Sequence, residues 1–202
     1  HSKTPYSGIF PDLTDEGKAM AEDVARRGVL HWMNRNRING RGDLAMYSSP
    51  SPRARGTAHV IKETICYPHM VMPEADIGPM RWYDPVECAE VMKSLAGTYI
   101  HLESEQRLNN PKLFEPIPEV RSRFYSYIAR MVADACAAKV LPNGIVVAHY
   151  EVFCHLVLEI FGIVATRETE LRHVEPIELA FFEMAKDTFY VTAIFREFER
   201  AA

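Results

Sequence analysis

The chain has 202 residues, 48% of them apolar, and a formal charge of −4 at neutral pH. This length fits a single domain with a sizeable core. No basic stripe interleaved with aromatics points to nucleic acid, no apolar run is long enough to span a bilayer, and none reads as a secretory leader, so neither nucleic acid nor membrane is an expected partner.

In chain order, Asp12-Leu13-Thr14-Asp15-Glu16-Gly17 reads as a helix start, with Thr14 as the N-cap and two acids in the first turn. Ala21, Val24, Ala25, Gly28, Val29 and Trp32 continue it at helical spacing. Residues 34–43 read as a loop, Leu44 to Tyr47 as a short strand, and Pro52 to about Cys66 as a helix. His69 to Gly78 reads as a strand followed by a loop. Asp84-Pro85-Val86-Glu87 combines an N-cap, a first-turn proline and an acid three residues on, opening a helix to about Gly97. Residues 98–116 are polar and irregular, and 79–116 could form a cap or lid over the domain. From Pro118, Val120, Phe124, Tyr127, Ile128, Met131 and Ala135 make a helical stripe. Ile145 to Ala148 is apolar on both faces and reads as a central parallel strand, with a helix behind it over Val152 to Ile160. Ile177 to Phe182 and Thr188 to Phe198 are strand-like. Strands alternating with helices predict a three-layer α/β/α sandwich with a mostly parallel central sheet, here one domain over residues 1–202. Cys66, Cys88, Cys136 and Cys154 form no Cys-x-x-Cys pair. They read as reduced core thiols of a cytoplasmic protein, not as a disulfide frame or a zinc site.

One segment carries most of the chemistry: Tyr47-Ser48-Ser49-Pro50-Ser51-Pro52-Arg53-Ala54-Arg55-Gly56-Thr57-Ala58. A strand enters it and a helix leaves it. Ser48, Ser49 and Arg53 therefore fall near a helix N-terminus, where free N–H groups and the helix dipole favour an anion. The planar guanidinium of Arg53 matches phosphate oxygens. Taken alone, Ser-Pro clusters of this kind are ordinary turn and cap chemistry. His149, at the end of the apolar strand Ile145–Ala148, adds a second signal, because ligands of parallel sheets collect at the carboxyl ends of strands. The remaining histidines lack metal-ligand spacing, so no metal and no cofactor is expected.

These residues resemble the histidine phosphatase superfamily, which includes the phosphoglycerate mutases. The family's first histidine matches His1, with Thr4 following, and its Leu-Thr-x-x-Gly matches Leu13 to Gly17. Its Ser-Ser-Pro-x-x-Arg-Ala-x-x-Thr-Ala matches Ser48 to Ala58 without a gap. Its acid four residues before a glycine matches Glu74 and Gly78, and its strand ending in histidine matches Val146 to His149, with Tyr150 where glycine is common. The arginine before the first histidine is not in the chain, and it is expected upstream together with a first strand; the rival origin of His1 is a tag remnant.

The resemblance implies that His1 is the nucleophile that carries a transient phosphate, that Arg53 holds the phosphoryl oxygens, that His149 donates to them, and that Glu74 serves as acid and base, with Asp76 the alternative. Thr4, Ser7, Ser49 and Arg81 are expected substrate contacts, and Arg107, Arg121 and Arg123 are further candidates. The implied activity is a metal-independent phosphomonoesterase acting on a small phosphorylated substrate. The alternatives are a mutase-like phosphotransferase and a non-catalytic phosphate-binding protein on the same fold, and a homodimer remains open.

Overall fold

In the computed structural model, the described residues are 13–38, 44–94, 110–138, 143–163, 174–185, 188–195 and 198–201. His1, Thr4, Ser7 and Arg107 lie outside them, as do residues 95–109 of the expected lid, which include the end of the helix expected to reach Gly97. The elements run α1 (Asp15–Val24), a π-helical turn (Ala25–Val29), α2 (Leu30–Arg35), β1 (Leu44–Ser48), α3 (Pro52–Thr64), β2 (Met72–Pro73), a 3-10 turn (Ala75–Ile77), α4 (Pro85–Ser94), α5 (Ile117–Ala138), β3 (Asn143–Val147), α6 (Tyr150–Phe161), β4 (Ile177–Ala185), β5 (Thr188–Phe195) and β6 (Phe198–Ala201). The chain divides into two compact units.

The first unit holds described residues 13–38, 44–78, 127–138, 143–149 and 174–176. Thr14 caps α1 by accepting from the Gly17 amide at 3.0 Å. Its sheet is parallel in the order β2-β1-β3. β1 runs in register with β3 from Leu44 opposite Asn143 to Ser48 opposite Val147, and Tyr47 and Ser48 pair with Met72 and Pro73. Leu44, Met46 and Ser48 point inward, the period-2 burial of a strand. Ala25, Ala54 and Ala58, all fully buried, pack with Met46, Ile61, Tyr67 and Val147 into one core. The small alanines let helix backbones lie close, and the Tyr67 hydroxyl is satisfied by the Leu44 carbonyl at 2.9 Å.

The second unit holds described residues 79–94, 110–126, 150–163, 177–185, 188–195 and 198–201. Asp84 caps α4, its Oδ1 accepting from the Val86 and Glu87 amides, each at 3.0 Å. β4, β5 and β6 form an antiparallel sheet with a bulge between Glu183 and Ala185. Val157, Phe161, Ala193 and Phe195 are its buried core.

Several expectations shift. The strand expected from His69 shrinks to Met72–Pro73, and Pro73 within it has no N–H to give the ladder. Among the described strands β1, not β3, is the middle one; Ile145 and Val146 are only half-buried. Among the described residues the tail runs form an antiparallel sheet in the order β4-β5-β6. Of the four cysteines only Cys88 is buried, while Cys66 and Cys136 are exposed, so these two are not core thiols. Burial pushes the Cys88 thiol up.

Candidate active site

The dipeptide Ser48-Ser49 ties the site together. Both residues are fully buried at the carboxyl end of β1. The Ser48 carbonyl accepts from the Glu74 amide at 2.9 Å, and the Ser49 amide donates to the Val147 carbonyl at 3.0 Å. The chain after β2 and the end of β3 are thereby fastened to the two sides of one strand end. The Ser49 hydroxyl accepts from the Ser51 amide at 3.2 Å, which turns the chain into α3. Ser51 is the N-cap of α3, its hydroxyl accepting from the Ala54 amide at 3.4 Å, and Pro52 fills the first helical position. Arg53 follows, half-buried in the first turn, and the neighbouring Arg55 points to solvent.

His149 is 1% exposed. Its Nε2 lies 2.7 Å from the Ser49 hydroxyl and 3.3 Å from that of Ser51, and its Nδ1 lies 3.4 Å from Arg53 Nη2. A guanidinium only donates, so Nδ1 accepts, and the partners assign the tautomer with hydrogen on Nε2, donated to Ser49. Arg53 and His149, expected from sequence to meet at one sheet edge, are in contact. Ser49, expected to touch substrate, holds the imidazole here.

Glu74 caps the 3-10 turn, its Oε1 accepting from the Asp76 amide at 3.0 Å. Its Oε2 takes a second hydrogen bond from Arg130 Nη2 at 3.0 Å. Both terminal nitrogens of Arg130 also donate to Asp76 Oδ2, each at 3.1 Å. The guanidinium carbon lies 5.8 Å from the centroid of the Tyr127 ring, one turn earlier on α5. Tyr127 in turn meets Tyr47 of β1 edge to face at 5.8 Å. Burial pushes the Tyr127 phenol up, with Tyr47 and Glu74 adding to the effect. The hydrogen bond to Asp76 chiefly raises Arg130. Sequence reading missed Arg130 and the part Ser51 plays. The only local sign of Arg130 was its place three residues after Tyr127 on the helical stripe.

Arg81 belongs to the second unit. Its amide donates to Glu115 Oε2 at 3.0 Å, and its side chain, 66% exposed, keeps Nε 3.8 Å from Oε1. Arg123, offered as a substrate contact, forms a buried fork instead. Its Nε and Nη2 donate to the two oxygens of Glu115, both at 3.0 Å, and Nη2 donates also to the Pro79 carbonyl at 3.0 Å. Arg121 pairs with Glu159, which also accepts from the Tyr125 hydroxyl. Among the described residues no group of three or more His, Cys, Asp or Glu side chains could hold a metal ion, and no helix is long and apolar enough to cross a membrane.

Solved structures share the fold. A mycobacterial glucosyl-3-phosphoglycerate phosphatase matches with a TM-score of 0.63 at 17% identity, covering 96% of this chain and 94% of its own. A mycobacterial protein described as hydrolase 2 matches with a TM-score of 0.57 at 16% identity, over 100% of this chain and 85% of its own. Phosphoglycerate mutase from Bacillus anthracis matches with a TM-score of 0.56 at 14% identity, over 100% and 88%. At these identities the likeness is one of fold, that of the phosphoglycerate mutase-like proteins. Comparison with curated proteins gives no match. The sequence profile of the histidine phosphatase superfamily (branch 1) matches over residues 4–196. With that match spanning nearly the whole sequence, the chain belongs to the histidine phosphatase superfamily.

Proposed function

We propose that the protein is a metal-independent phosphomonoesterase that acts on a small phosphorylated substrate through a phosphohistidine intermediate. The observation that carries this reading is the contact of Arg53 Nη2 with His149 Nδ1 at 3.4 Å, where β1 and β3 end and α3 begins. A phosphoryl oxygen arriving there competes for the guanidinium donors. Once Arg53 turns to that oxygen, Nδ1 is released, and the imidazole can hold a proton there and donate to the same phosphoryl group. The charge that stabilises the transferring phosphoryl then comes from side chains and from the N-terminus of α3.

In this reading a ring nitrogen of His1 attacks phosphorus. The P–N bond forms as the ester P–O bond breaks, and Glu74 gives its proton to the leaving oxygen. Water then attacks phosphorus, its proton passes to the Glu74 carboxylate, and the P–N bond breaks to leave orthophosphate. Thr4, Ser7 and Arg81 remain substrate contacts of the proposal.

The test is phosphate release, with a chelator present, across sugar phosphates, nucleotides and phosphoproteins. Release from at least one class, with competitive inhibition by vanadate, is the expected result. No release from any class, or release that stops with chelator and returns with added metal, overturns the proposal.

A further inference from the structure

Glu74 and Asp76 compete for the role of proton donor, and a single guanidinium binds both. We infer that Arg130 is the positioning residue of the acid–base group, fixing Glu74 Oε2 at the end of β1 and using Asp76 as the counter-anchor that keeps its own fork in place. The inference rests on the reading of Glu74 as the acid. Three observations support it. Glu74 is held at each oxygen from a different direction, by the Asp76 amide at 3.0 Å and by Arg130 at 3.0 Å. All three donors that hold its segment, its own amide on Ser48 included, therefore set where the carboxyl group stands relative to the strand end. Arg130 is itself set from two sides, by Asp76 Oδ2 and by the face of Tyr127, whose ring packs on Tyr47 of β1.

The same geometry separates positioning from substrate capture. An arginine that grips an anionic part of a substrate presents its fork to the incoming group. Here the two terminal nitrogens of Arg130 already donate to two carboxylates, and a phosphate or carboxylate on the substrate would meet Glu74 and Asp76 as like charges beside it. A carboxyl group held only at one oxygen has freedom to swing. A misplacement of about 1 Å costs up to about 100-fold in rate.

The experiment compares Arg130→Gln, Arg130→Lys and Glu74→Gln on two substrates, glycerol phosphate as an alkyl ester and 4-nitrophenyl phosphate as an activated aryl ester. Loss of a positioned acid hurts the poor leaving group and spares the good one. Arg130→Gln is expected to lower kcat on glycerol phosphate by about 10- to 100-fold, to leave KM unchanged, and to change 4-nitrophenyl phosphate turnover by less than about 3-fold. Arg130→Lys should recover part of the loss, because it keeps the charge and gives up the fork. In the Glu74→Gln background, Arg130→Gln should add nothing further, since both changes act through one group. If Arg130→Gln raises KM at constant kcat, the residue binds substrate and the inference fails. Equal loss on both esters makes it structural and also overturns the inference. If Glu74→Gln itself shows no dependence on leaving group, the reading of Glu74 as the acid fails independently.

Discussion

Ser49→Ala tests whether this hydroxyl orients His149. In the structure Ser49 Oγ takes two donors, His149 Nε2 at 2.7 Å and the Ser51 amide at 3.2 Å, in surroundings closed to water. Without that oxygen the imidazole N–H falls back on Ser51 Oγ at 3.3 Å, and the Ser51 amide loses its acceptor. One orphaned buried donor costs about 1–3 kcal/mol. Taking 2 as the central figure, Tm should fall by roughly 4–8 °C for a chain of this size. On its Nε2 side the ring then leans on the longer contact to Ser51 Oγ. If about 1.4 kcal/mol of its orientation is lost at the transition state, kcat/KM drops about tenfold. Thermal unfolding and steady-state kinetics on the same preparation supply both numbers. Unchanged Tm with unchanged kcat/KM refutes the role. A rise in KM and in the vanadate inhibition constant, with Tm intact, refutes it differently, by showing that Ser49 touches phosphate directly and leaves His149 alone.

Arg53→Lys keeps the charge but not the fork, and it should lower kcat by about 10²–10³-fold and weaken vanadate binding in parallel; retention of either within a few-fold counts against the site. Arg123→Ala strips the fork from Glu115, which is 1% exposed, and should destabilise the protein by about 3–5 kcal/mol in urea unfolding, against less than about 1 kcal/mol if the pair is incidental. Burial, with help from the Glu159 hydrogen bond, pushes the Tyr125 phenol up to about 12, and burial raises Tyr127 as well. A folded chain that keeps a proton the unfolded chain releases near pH 10 has its full contribution below that pH and loses it as pH rises through the folded value. Stability should therefore decline from about pH 10 to 12, less steeply in Tyr125→Phe, and absorbance at 295 nm should show late-ionising tyrosines. Ionisation of all tyrosines together near pH 10 in the folded protein contradicts this.

The features readable from sequence are those whose cause is local. Thr14 and Asp84 cap helices through oxygens that reach amides two or three residues on, so the residue pattern contains the contact. The segment Ser48 to Ala58 holds strand end, turn, cap and guanidinium within a few residues, which places Arg53 before any long-range contact is known. The meeting of Arg53 with His149, 96 residues away, was inferable because both stand at the exit edge of parallel strands. Arg130 was not inferable. Its partners Asp76 and Glu74 lie 54 and 56 residues back, and nothing in a helical stripe says which half-exposed arginine folds against which turn. Arg123 shows the opposite error: a cation eligible to read substrate is buried against Glu115, a pairing fixed by the turn that precedes α5. The short β2 carries one local mark, Pro73, which has no N–H to give the ladder. Strand direction in β4 to β6 carries no mark in side-chain pattern alone.

The most direct measurement of the central claim is a rapid alkaline quench during turnover of a 32P-labelled phosphate monoester, followed by peptide mapping of the protein. A phosphohistidine chemistry predicts label that survives base, is lost in acid and maps to His1, and a His1→Gln variant that takes up none. Label that survives acid and maps to a serine, or normal turnover by His1→Gln with no covalent phosphate at any histidine, contradicts it.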